Sequence, residues 1–65
     1  MKLYALYTGP TIVENTAKRL RAAGLPVVTE GTAHVYVKAE TVREVLLAVG
    51  EGFTHRDVRE LVFRG

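Results

Sequence analysis

An α+β domain of βαββαβ order is what this sequence predicts, and three observations predict it. Residues 2–7 alternate with the two-residue period of a strand; residues 11–24 and 39–50 carry apolar positions at helical spacing; residues 26–38 return to alternation about a central glycine. At 65 residues the chain is read as one domain, 1–65, small enough to bury a lower share of its surface than a typical domain.

The first strand is Leu3-Tyr4-Ala5-Leu6-Tyr7. Alternation puts Leu3, Ala5 and Tyr7 on one face and Lys2, Tyr4 and Leu6 on the other, and the expectation is that Tyr4 turns away from the helices. After a Gly9-Pro10 turn, Thr11 and Glu14 stand at the spacing of a capping box, in which hydroxyl and carboxylate each satisfy an unpaired amide of the first helical turn. Ile12, Val13, Thr16, Ala17, Leu20 and Ala23 then form one stripe. Gly24 suits the left-handed residue that ends a helix, Leu25 folds back on Leu20, and Pro26 prevents continuation.

Residues 26 to 38 read as a hairpin turning at Glu30-Gly31, which sets Thr29 opposite Thr32, Val28 opposite Ala33 and Val27 opposite His34. Val28, Ala33, Val35 and Val37 then share an apolar face, leaving Thr29, Thr32, His34, Tyr36 and Lys38 on a mixed one. The second helix places Val42, Val45, Leu46 and Val49 inward and stops at Gly50, with Leu47 on its outer side. For the last segment a strand with Leu61 and Phe63 inward is preferred, because it completes βαββαβ and pairs the edge beside the first strand. The alternative is βαββα with a third, C-terminal helix opened by Thr54 and Asp57 and stapled by Phe53 and Val58. A short helical turn at Thr54 to Asp57 before the strand accommodates both signals.

Interleaving two βαβ-like halves gives a four-stranded antiparallel sheet of order 4-1-3-2 with both helices on one face, the ferredoxin-like arrangement. The other face is expected to be open and to carry Tyr4, His34 and Tyr36, with Lys2, Lys38 and Arg64 nearby. Planar rings on central strands flanked by cations suit single-stranded DNA or RNA, through stacking and phosphate contact.

Locally this resembles an RNA-recognition motif. The aromatic Tyr4 holds the second place of that family's first-strand motif, and Gly31, Ala33, His34 and Val35 fall at matching places of its third-strand octapeptide. Thr32, Glu30 and Val37 stand where that family has an aromatic, a base and an aromatic, and the chain is not assigned to it. A rival use of the same face, or of the edge strand Val27 to Thr29, is a homo-oligomer interface, a dimer first. Very small domains without disulfides or metals gain stability from self-association.

A third reading places a small anionic ligand at Thr8, Gly9 and Thr11, where a strand, a turn and a helix start offer amides and hydroxyls. Gly24-Leu25-Pro26-Val27 looks like the passage into the second strand of small-molecule-binding ACT domains. The Gly9-Pro10 order and the absence of an acid at Thr8 depart from them.

No catalytic role is expected, since no nucleophile or base stands with an orienting group. His55-Arg56-Asp57 matches a kinase triplet by letters in a chain too short for a nucleotide lobe. No cofactor and no metal is expected, there being no Cys and no clustered ligand spacing. Nine Lys and Arg against seven Asp and Glu give a net charge of +2, so charge alone attracts nucleic acid weakly. No signal-peptide pattern and no apolar run near the roughly 20 residues of a membrane span is seen, and a cytoplasmic protein without membrane contact is the expectation. Ser, Gln, Trp and Cys are absent, a bias shared with heat-adapted proteins.

Overall fold

The computed structural model describes residues 1–62. Its elements are strand β1 (Lys2–Tyr7), helix α1 (Val13–Ala22), strands β2 (Val27–Glu30) and β3 (His34–Ala39), helix α2 (Val42–Val49), one 3-10 turn (His55–Asp57) and strand β4 (Val58–Leu61). The strands form one antiparallel sheet in the order β2-β3-β1-β4, and both helices lie on one side of it: a ferredoxin-like βαββαβ fold. The capped turn and the strand that follows it resolve the last segment. Thr54 and Asp57 make a reciprocal capping box, with the Thr54 N–H donating to Asp57 Oδ2 at 2.9 Å, and pairing with β1 begins immediately afterwards.

Antiparallel partners share a face, so the registers Tyr4↔Val37 and Leu6↔Val35 put all four side chains together. They are buried under Val13, Ala17 and Leu20 of α1 and Val45 and Val49 of α2, and this is the core. Tyr4 therefore does not lie on the open face. It is 2% exposed, beneath the helices, and the strand is turned over relative to the expectation. Lys2, of the same parity, pairs with the buried Ala39 and likewise leaves the open face.

Helix α1 ends in a Schellman arrangement. The Gly24 N–H donates to the Arg21 carbonyl at 3.0 Å and the Leu25 N–H to the Leu20 carbonyl at 3.1 Å, with Gly24 at φ +85° and Leu25 buried. Its start differs from the expected capping box, because Ile12 occupies the cap position and no side chain caps it. Glu14 instead faces Lys18 at 3.9 Å, the surface pair its spacing allows. Helix α2 is capped by Thr41, whose Oγ1 accepts from the Glu44 N–H at 3.2 Å.

The β2–β3 hairpin turns two residues later than Glu30-Gly31. The Gly31 N–H donates to the His34 carbonyl at 2.7 Å, so Thr32 and Ala33 form the tip, and Glu30 pairs with Val35 and Thr29 with Tyr36. A bulge between Val27 and Thr29 turns Val27 toward the core and leaves Val28 exposed, the reverse of the expected pattern. No helix among the described residues is long and apolar enough to cross a membrane.

Candidate nucleic-acid interface

The open face is built from the other parity of each strand. On the central strands it carries Leu3, Ala5 and Tyr7 opposite Lys38, Tyr36 and His34. On the outer strands the registers add Thr29 beside Tyr36, Arg59 beside Ala5 and Leu61 beside Leu3. Leu61 thus faces outward with Leu3 rather than into the core, while Phe63 lies outside the described residues.

Three rings run in a row across β1 and β3. Tyr7 meets His34 edge to face, with ring centroids 5.2 Å apart and planes at 66°, and His34 is stacked with Tyr36 at 6.2 Å and 29°. Tyr7 is half exposed, and His34 and Tyr36 are partly buried, so each presents ring surface to solvent. The row owes its order to the hairpin. Gly31 has no side chain, and a Cβ there would lie 3.1 Å from Tyr36 Cε2, so the glycine admits the Tyr36 ring against the turn.

Lys38 and Arg59 flank the rings, both exposed, while the open-face positions among the described residues contain no carboxylate. Glu30 and Glu60 belong to the opposite parity; Glu30 pairs with Arg21 at 3.3 Å on the helix side. Of the residues expected to bind nucleic acid or a partner, His34, Tyr36 and Lys38 are brought together here. Tyr4 and Lys2 are on the other side, and Arg64 lies outside the described residues. Tyr7 and Arg59 join them, outside the expected set, because alternation along β1 does not state which of its sides the helices cover. The registers with His34 and Ala5 are the signal that places them.

The junction expected to bind an anion is otherwise engaged. The amides of Thr8 and Gly9 both donate to the Ala33 carbonyl, at 2.9 and 3.1 Å, and Thr8 Oγ1 lies 2.7 Å from the Gly9 carbonyl. Pro10 has no N–H, and Thr11 is exposed without capping α1. These groups tie the end of β1 to the β2–β3 loop, and no convergent set of free amides is left at Thr8 and Gly9 for an anion. Beside them a cleft of about 340 Å³ runs between α1 and the connection from α2 to β4, and of the three expected residues only Thr8 lines it. No group of three or more His, Cys, Asp or Glu among the described residues is placed to hold a metal ion. Comparison with protein-family models, with curated proteins and with solved structures found no match to this chain.

Proposed function

We propose that this domain is a non-catalytic binding module that takes single-stranded nucleic acid across its open sheet face. The observation that supports the reading is the row Tyr7, His34 and Tyr36 on the two central strands, bordered by Lys38 and Arg59, with no carboxylate at the paired strand positions of that face among the described residues. Successive bases stack on the rings while the two cations meet phosphates, and neither contact depends on base identity. With about two phosphates neutralised, the affinity falls with salt at a log–log slope near −1.4, a shallow dependence.

Fluorescence anisotropy of a labelled single-stranded oligonucleotide at low ionic strength tests it. Stacking of about 1–3 kcal/mol per base implies that Tyr36→Ala weakens binding by a factor between about 5 and about 160, with circular dichroism unchanged. Absence of binding by the unaltered protein, or equal affinity of Tyr36→Ala and His34→Ala with it, overturns the reading.

A second reading, a homo-oligomer through the same face, is favoured by one observation: Leu3 and Leu61 pair at one end of that face as an apolar patch half covered by its neighbours. The bulge at Val28 makes the β2 edge the poorer surface for strand-to-strand assembly. Light scattering of Tyr36→Glu separates the readings. A fall from oligomer to monomer supports assembly, and a mass equal to that of the unaltered protein argues against it.

A further inference from the structure

The cleft beside Thr8 extends the nucleic-acid reading and rests on it. At about 340 Å³ it falls within the range of about 300–1,000 Å³ typical of small-molecule sites. Tyr7 belongs to both features: its ring meets His34 at 5.2 Å on the open face, and it lines the cleft. A strand stacked along Tyr36 and His34 toward Tyr7 therefore reaches a residue that also lines the cleft.

The walls say what chemistry enters. Two aromatic residues, Tyr7 and Phe53, line the cleft together with Asn15, one cation, Arg19, and two acids, Glu51 and Asp57. A lining with two carboxylates and one guanidinium disfavours a phosphate, and Arg19 already donates through Nη1 to the Val49 carbonyl at 3.0 Å. The complementary ligand is an uncharged group rich in N–H donors. Asp57 is the acceptor best held for it, because the Thr54 N–H fixes Oδ2 at 2.9 Å and an ionised carboxylate only accepts, at about four lone-pair sites. Among the bases, guanine alone presents two adjacent donors, N1–H and the N2 amino group, to a single carboxylate. Adenine and cytosine place an acceptor beside their amino group, and uracil places its single N–H between two carbonyls.

We propose that this cleft binds one guanine base, unstacked from the strand that the open face carries, with its Watson–Crick edge on Asp57, its ring against Tyr7 and Phe53, and its O6 toward the Asn15 amide. The site makes the module selective for guanine at one position, while the rest of the strand is held without base preference.

Anisotropy titrations with an oligouridine, the same strand carrying one guanosine, and the same strand carrying inosine at that place test the proposal. Inosine lacks the N2 amino group. The guanosine strand is expected to bind about tenfold more tightly than oligouridine, within the range of a bidentate base contact, and inosine to lose most of that gain. Asp57→Asn is expected to abolish the preference, and the inosine strand makes the same test on the unaltered protein, independently of any effect of the variant on folding. Oligouridine binding with no guanosine preference overturns the cleft assignment and leaves the open-face reading standing. A preference that survives both inosine and Asp57→Asn overturns the role of Asp57. No binding by any strand overturns both readings together.

Discussion

Replacing Tyr4 by Ala separates a buried Tyr4 from an exposed one. Tyr4 is 2% exposed and packs in the same cluster as Leu6, Leu20 and Val37. Truncating a buried aromatic ring to Ala costs about 3–5 kcal/mol, because the transfer free energy is lost and a cavity is left. Stability of about 0.05–0.15 kcal/mol per residue gives a 65-residue chain about 3–10 kcal/mol in all. The substitution therefore removes a third or more of the total and unfolds the protein outright toward the lower end of that range. At about 4–8 °C per kcal/mol for a domain of this size, Tm falls by at least about 12 °C. Thermal melts followed by far-ultraviolet circular dichroism read this directly, with Tyr36→Ala, a partly exposed ring on the opposite face, as the comparison; its cost is expected to be about half or less. A Tyr4→Ala protein that melts within about 4 °C of the unaltered one, under about 1 kcal/mol, would refute the assignment of Tyr4 to the core.

Two further substitutions test the backbone features that shape the molecule. Gly31→Ala sets a Cβ 3.1 Å from Tyr36 Cε2, so the ring must shift by a few tenths of an ångström. Altered Tyr36 ring resonances and weaker oligonucleotide binding are expected in a protein that still folds, and unchanged ring resonances would contradict the contact. Gly24→Ala meets no atom within 4 Å, but φ is +85°, so its cost is the left-handed backbone alone, about 1–2 kcal/mol. A lower urea midpoint at unchanged m-value checks it.

Much of the fold was legible because local signals agreed. Gly24, Leu25 and Pro26 end α1 as their types demand, and Thr54 with Asp57 caps the last turn where the pattern placed a cap. The strand order followed from the number and sequence of elements together with handedness. The α1 cap was misplaced because Thr11 and Glu14 satisfy a spacing rule, while the chain leaving the Ala33-bound junction puts Ile12 at the cap position. In the hairpin, Gly31 looked like a turn residue; its structural use is to clear space for Tyr36, and the tip falls on Thr32 and Ala33.

The candidate site was half legible for one physical reason. On β3 the two parities differ sharply, Val35, Val37 and Ala39 against His34, Tyr36 and Lys38, so burial of the apolar set alone assigns the face. On β1 both parities are apolar enough to be buried, Leu3, Ala5 and Tyr7 against Tyr4 and Leu6, and alternation states only that they point apart. The sequence by itself determined the elements, their order and the outward face of β3. Only the tertiary structure decided which side of β1 is covered, because that choice depends on pairing between residues more than 25 positions apart, Tyr4 with Val37 and Leu6 with Val35. The same pairing makes Tyr7 rather than Tyr4 the exposed aromatic of β1, and so puts in the ring row a residue that also lines the cleft.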